Sequence, residues 1–303
     1  MKRAEQEDAE REARSALEHL ADQSYETPTD VSKASTKPDE DVRSIGHLPE
    51  QESWSAARTG FGFYEIDAWG EQLTGACAPQ RCTLPGVAKR NSTDAPYAVP
   101  NEFICGRLGL LIGLPVPPGT VVTTDDGKLA YVSLWFGPKG EPSPPLDPRK
   151  FVEDNPSTAA GVVAFDCWIG NPDRHQHNLA YVRGEPKIPV TVFDHSHALL
   201  GIQTGAAVQR LRETIDEPLI SGILRQHLTS SEEFEDWANR ISAVSNELIR
   251  DICHTVIHPD GITTEECTAA AKFLIHRKDR VLEQLRGSKG RMPNVRQWEL
   301  DEN

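Results

Sequence analysis

The stretch GNPDRHQHN, residues 170–178, is the densest polar run in the chain. An apolar helix candidate, STAAGVVAFDCWIG (157–170), precedes it and ends at Gly170, and LAYV (179–182) follows. A polar run between two apolar elements reads as a loop held by rigid supports, a frequent setting for function. Asp173 and Asn178 stand five residues apart, the separation of the proton-accepting aspartate and the magnesium-binding asparagine in a phosphoryl-transfer loop. A carboxylate at Asp173 accepts or orients the proton of an attacking hydroxyl. A neutral amide oxygen at Asn178 ligates a cation without adding charge.

Sixteen residues beyond Asn178 comes VFDHSHALLG (192–201), in which Asp194 ends an apolar run. LAYVR (179–183) and IPVTVF (188–193) flank a glycine-containing turn and predict a hairpin. Such a hairpin returns Asp194 beside the 170–178 loop. Magnesium takes hard oxygen ligands and keeps waters or phosphates in its shell, so Asp194 and Asn178 are the expected metal ligands. Each residue also has a plainer reading: Asp173 in an Asn-Pro-Asp turn, Asn178 as a loop amide, Asp194 as a cap. Four histidines, His175, His177, His195 and His197, crowd the same segments. In extended chain a two-residue spacing puts side chains on one face, so a histidine-metal hydrolase is a rival reading.

Phosphoryl transfer also needs a cation near the phosphates. Lys89 in LPGVAKR (84–90), a predicted short strand, is the candidate, and Glu102 in NEFICGRLGLLIGL (101–114) is placed to orient it as an ion pair. Phe103, Ile104, Leu108, Leu111 and Ile112 recur at helical spacing there, and Gly113 with Pro115–Pro118 stops the helix. GFGFYEIDAW (60–69) reads as an earlier strand. GTVVTTDDGKLAYVSLWF (119–136) reads as a hairpin around Asp126-Gly127. Arg174 braces the loop or a phosphate, and His175 braces the loop or lies beside the phosphates. No glycine-rich phosphate loop of a recognised pattern precedes Lys89; TGFGFYE (59–65) and LTGACAPQ (73–80) are the candidates.

From about Gly205 the chain reads as helical. FEDWANRISAVSNELIRDICHTVI (234–257) and ECTAAAKFLIHRKDRVLEQL (266–285) are the main helical runs. Ser230 with Glu233 forms a capping-box signature ahead of the first. The fold class is therefore α+β. Residues 1–53 are an acidic, disordered extension and 54–136 a small mixed α/β lobe. Residues 137–156 form a Pro/Gly-rich connection, 157–286 a mainly helical catalytic lobe with an embedded hairpin, and 287–303 a polar tail.

The chain has 303 residues and a net charge of -14. That charge opposes general binding to a phosphate backbone, so no direct nucleic-acid binding is expected. No run approaches the roughly 18 apolar residues of a membrane span, and the basic start lacks the apolar segment of a secretory signal. The six cysteines show neither metal-site nor disulfide-framework spacing and read as mostly buried free thiols in a reducing cytoplasm.

GNPDRHQHN followed by VFDHSHALL resembles the catalytic and metal-binding segments of HipA-like kinases and, more remotely, the Asp-Arg-His-x-x-Asn run of the phosphatidylinositol 3- and 4-kinase superfamily. NEFICGRLGLLIGLPVPPG (101–119) is similar to the HipA-like small-lobe helix, and KFLIHRKDRVLEQL (272–285) to its closing helix. The resemblance spans roughly 54–285. It implies a two-lobed protein-kinase-like fold using ATP and Mg²⁺. It implies Asp173 as the catalytic aspartate, Asn178 and Asp194 as magnesium ligands, and Lys89 as the phosphate-contacting lysine. The acceptor it implies is a serine or threonine of a protein; some characterised members are toxins neutralised by a DNA-binding partner, which makes a regulatory protein a further expected partner. The alternatives are a catalytically inactive nucleotide-binding pseudokinase scaffold and a small-molecule or lipid kinase.

Overall fold

The structure is a computed structural model that describes residues 64, 66–137, 146–181, 190–296 and 298. The 1–53 extension lies outside them, as do half of the predicted strand at 60–69, residues 138–145 of the Pro/Gly-rich connection and the 182–189 hairpin turn. The described residues form a mixed α/β fold with three small antiparallel sheets.

Strands β1 (Ala68–Gln72) and β2 (Gln80–Thr83) make a two-stranded hairpin, exposed along its whole length. The first strand therefore begins later than the sequence pattern suggests, and β2 went unrecognised. Neither strand buries a face, so neither carries the alternation by which strands are read. β3 (Gly86–Lys89), β4 (Gly119–Thr123) and β5 (Leu129–Leu134) form a second sheet in the order β3-β5-β4. Lys89 pairs with Tyr131 and Val87 with Ser133. Val87 and Lys89 are half-buried while Gly86 and Ala88 are exposed, so the pleat turns the lysine inward. Gly127, at φ 76°, makes the expected β4–β5 turn.

Helix α1 (Ala98–Leu111) runs between β3 and β4 and is buried over most of its length. It starts three residues before Asn101, so Glu102 sits beyond the first turn and is not a dipole-favoured helix-start carboxylate. Gly113 takes φ 85° just past its end, as a helix-terminating glycine does.

The connection carries a short helix of its own, α2 (Pro148–Asp154), capped by Asp147. Helix α3 (Pro156–Ile169) follows and ends on Gly170 in the left-handed conformation. It is buried on almost every side, as an all-round apolar helix must be. Gly161 lets Trp237 lie directly against it. Strands β6 (Leu179–Tyr181) and β7 (Val190–Val192) pair antiparallel as expected.

Beyond them come α4 (Ala207–Glu213), α5 (Glu233–Ser242), α6 (Asn246–His254), α7 (Thr264–Lys278) and α8 (Val281–Gly287). Each long helical run is thus two helices. Ser245 breaks the first by capping α6, its hydroxyl accepting from Leu248 N. The second breaks at Asp279–Arg280. The Ser230–Glu233 capping box does not form, because Ser230 Oγ instead accepts from Glu232 N. A full capping box forms at Thr263 and Glu266. The tail is not peripheral: Met292 is fully buried and the Trp298 ring stacks on Phe234.

Candidate active site

The 170–178 loop hangs from a carboxylate inside α3. Asp166, 2% exposed, receives two hydrogen bonds from Arg174, Nε to Oδ2 and Nη2 to Oδ1, both 3.0 Å. It receives a third from Asn171 Nδ2 at 2.8 Å. Arg174 Nη1 also donates to the carbonyls of Asn178 (3.2 Å) and Phe193 (2.6 Å). One buried guanidinium thereby ties α3, the loop and the β7 exit together. This corrects the expectation of a phosphate role for Arg174: its side chain is 1% exposed and its donors face protein oxygens.

Asn171 Oδ1 accepts from Asp173 N at 3.1 Å, and Asn178 Nδ2 donates to Asp173 O at 2.8 Å. Asp173 and Asn178 therefore form one unit. The nitrogen of Asn178 is committed inward, so the amide oxygen is the atom it offers a cation. The Asp173 carboxylate remains 41% exposed, with His197 Nδ1 at 3.1 Å and His175 Nε2 at 3.9 Å. His175 is itself half-exposed, and its Nδ1 accepts from His177 N at 3.2 Å. It braces the loop end.

Asp194 follows β7 at φ 58°, a region that L-residues other than Asn and Asp rarely enter. Its Oδ1 lies 2.9 Å from Lys89 Nζ. Lys89 Nζ is also 2.6 Å from Glu102 Oε1. Residues on three separate elements, predicted from three separate segments, thus meet through one ammonium. Ser196 Oγ sits among them, 2.8 Å from Asp194 Oδ1, 2.9 Å from Glu102 Oε1 and 3.3 Å from Lys89 Nζ. Glu102 Oε1 further accepts from His195 N at 3.0 Å. Burial by itself raises the Glu102 pKa; the facing His195 and the Lys89 ammonium outweigh it and hold the carboxyl well below the usual range. For Lys89, burial lowers the pKa, and Glu102 and Asp194 together carry it above the ordinary lysine value.

Asn101, fully buried beside Glu102, clamps the backbone after Asp194. Its Nδ2 donates to Ser196 O at 2.7 Å and its Oδ1 accepts from Leu200 N at 3.0 Å. Asn101, Asp166 and Ser196 were not among the expected site residues, and His197 was expected only in the rival histidine-metal site. One had a legible signal: Asp166 is a lone carboxylate within an apolar helical run, and such a group requires a partner.

The histidine-metal arrangement does not assemble. Among the described residues no group of three or more His, Cys, Asp or Glu is disposed to hold a metal. His195 is buried edge-on against Phe165 while His197 turns to Asp173. Of the phosphate-loop candidate Leu73–Gln80, residues 73–79 form the exposed turn of the β1–β2 hairpin, closed by Leu73 N to Pro79 O at 2.7 Å, and Gln80 opens β2. Only Tyr64 of Thr59–Glu65 is described.

Two hollows flank this centre. A cavity of about 150 Å³ is walled by Val87, Tyr131, Phe136 and Phe193 and reaches Lys89, Glu102 and Asp194. A surface groove of about 540 Å³ has Asp173 and His197 in its wall. The Lys89 cluster faces one hollow and Asp173 the other.

No protein-family model matches the chain, and no curated protein matches it. Among solved structures, the chain is similar to the proinflammatory kinase CtkA of Helicobacter pylori. The identity is 15%, the TM-score 0.47, and the match covers 75% of this chain and 97% of that one. At that level the functional reading rests on the site geometry. Among the described residues no helix is long and apolar enough to cross a membrane.

Proposed function

We propose that the chain is an ATP- and Mg²⁺-dependent phosphotransferase of two-lobed, HipA-like kinase type, moving the γ-phosphoryl group to a serine or threonine hydroxyl of a protein. The observation that carries the reading is the junction at Lys89, 2.6 Å from Glu102 and 2.9 Å from Asp194, beside a loop that binds Asp173 and Asn178 into one unit. A lysine oriented by a helix glutamate, a metal-binding aspartate after a hairpin and a loop Asp/Asn pair are the parts that phosphoryl transfer uses.

In this mechanism Lys89 meets the nucleotide phosphates while Glu102 holds it in place. Magnesium suits the donor set, which is hard oxygen throughout: the Asp194 carboxylate and the Asn178 amide oxygen would hold it. When bound it offsets phosphate charge. Asp173 receives the acceptor's hydroxyl proton as that oxygen bonds to the γ-phosphorus. The bond from phosphorus to the bridging oxygen breaks, and its electron pair leaves with ADP. His197, 3.1 Å from Asp173, holds the carboxylate toward the groove. Arg174 keeps the Asp173–Asn178 unit and the Asp194 segment in register, so that little reorganisation accompanies transfer.

A second reading, a nucleotide-binding scaffold without turnover, is favoured by one observation: Oδ1 of Asp194, the expected metal ligand, is already engaged by Lys89 Nζ at 2.9 Å and Ser196 Oγ at 2.8 Å. The test is purified protein with labelled Mg·ATP and a broad panel of protein acceptors, alongside a thermal-shift titration with the same nucleotide. The phosphotransferase reading expects both a stabilising shift and labelled acceptor. A shift with no labelled acceptor selects the scaffold, and neither response removes both readings.

A further inference from the structure

The groove of about 540 Å³ beside Asp173 is bounded by a loop whose shape is set from outside it. Arg210, from α4, donates to the carbonyls of Leu199 and Gly170, the latter at 2.9 Å. Asn101 Oδ1 holds Leu200 N at 3.0 Å. At the far end Gly205 N donates to the Tyr97 hydroxyl at 3.0 Å, and that hydroxyl donates to Glu266. Gly201 takes φ 78° with the Arg210 side chain packed so closely that a Cβ there would meet Arg210 Cδ at 2.9 Å. The loop is thus pinned on both sides of Ile202, and Ile202 is 53% exposed in the groove wall. A rigidly held apolar side chain facing solvent beside a catalytic carboxylate is a contact waiting for a ligand.

The groove is net acidic: among its described lining residues the carboxylates of Asp173 and Glu213 outnumber the one guanidinium, that of Arg210, whose donors turn to the carbonyls of Leu199 and Gly170. Glu213, exposed at the end of α4, also lines it, held by Gln209 Nε2 at 2.7 Å. The groove therefore offers an apolar contact at Ile202 and carboxylates at Glu213 and Asp173.

We infer that this groove seats the phosphoryl acceptor as an extended polypeptide segment, with an apolar side chain against Ile202 and a basic side chain facing Glu213. The inference rests on the phosphotransferase reading and adds the acceptor's chemistry to it. A basic flank fits a groove whose carboxylates outnumber its guanidinium.

The test uses the full chain, labelled ATP with Mg²⁺, and three synthetic peptides sharing one serine. One carries leucine and arginine flanks, one leucine and glutamate, one alanine and arginine. The leucine–arginine peptide is expected to exceed the leucine–glutamate peptide in kcat/KM by about threefold, since attraction replaces repulsion at an exposed charge. Glu213→Lys is expected to reverse that order, and Ile202→Ser to erase the advantage of leucine over alanine. Thermal denaturation of each variant checks that it is folded. Equal use of the arginine and glutamate peptides, or an unchanged order in folded Glu213→Lys, overturns the inference. Labelling of other acceptors, or ATP hydrolysis, with no peptide labelled overturns it too but leaves the phosphotransferase reading standing. No turnover of any kind removes both.

Discussion

Replacing Arg174 with leucine strips the buried Asp166 carboxylate of two of its three hydrogen bonds, both 3.0 Å, leaving it Asn171 alone. It also frees the carbonyls of Asn178 and Phe193. Both charged side chains are at most 3% exposed, so water cannot replace the lost partner. Breaking a buried pair from one side costs about 3–5 kcal/mol. For a fold of this size each kcal/mol moves Tm by about 2–4 °C, so Arg174→Leu is expected to lower Tm by roughly 6–20 °C. Urea denaturation at neutral pH reads the free energy. Asp166→Leu alone should cost a similar amount, and the double variant clearly less than the two single losses added together, because the pair then leaves no orphaned charge. The reasoning is refuted if Arg174→Leu costs under about 1 kcal/mol while Mg·ATP binding is lost. That outcome makes Arg174 a phosphate ligand and not a brace.

In Lys89→Met, Glu102 keeps its burial but loses its ammonium. Wild-type Glu102 sits below the ordinary carboxylate pKa, so its stabilisation is present above that value and fades as pH falls through the depressed one. In the variant His195 still lowers the pKa but the ammonium no longer does, so the carboxyl titrates at a higher pH than in wild type. The gap in urea midpoint therefore narrows as pH drops through the variant's value toward the wild-type one; a gap that widens contradicts the pairing. At φ 58°, Asp194→Gly should be more stable than Asp194→Ala by about 1 kcal/mol, and equal stabilities in thermal melts would argue against the strained backbone. Gly161→Ala places a Cβ 2.3 Å from Trp237 Cε2 and should cost about 1–3 kcal/mol by chemical denaturation, with near-neutral behaviour ruling out that packing.

The parts of the fold legible in the sequence were those whose signal is local. The arrest of α1 at Gly113, the β4–β5 turn at Gly127 and the end of α3 at Gly170 each depend on a glycine at positive φ. The β6–β7 strands are short, largely apolar and bounded by polar segments, and they formed where expected. The β1–β2 hairpin buries nothing and so left no periodicity to read. The breaks at Ser245 and Asp279 were hidden because the apolar spacing runs across both, and only the cap geometry at Ser245 marks the first.

At the site, the residue types that do chemistry were readable. The pairing of Lys89 with Glu102 follows from the strand and helix order that suggested it, whereas the contact of Asp194 with the same ammonium was not read from the sequence. The supports were not readable. Asn101 acts on residues about a hundred positions away, a pairing that no local pattern carries. Ser196 looked like one polar residue among histidines until Glu102 and Asp194 closed around it. Arg174 read equally as a brace of the loop or of a phosphate, and only its pairing with the buried Asp166 decides for the loop.

The central claim is that Asp173 and Asp194 do the chemistry of transfer. Wild type, Asp173→Ala and Asp194→Ala are incubated with labelled ATP and Mg²⁺ in the presence of an acceptor that wild type labels, with folding of each verified by its melt. The account predicts a fall in transfer of at least about a hundredfold for each variant, with Asp173→Ala retaining Mg·ATP binding because Asp173 faces the groove and not the cavity. Equal transfer by wild type and both folded variants would contradict it.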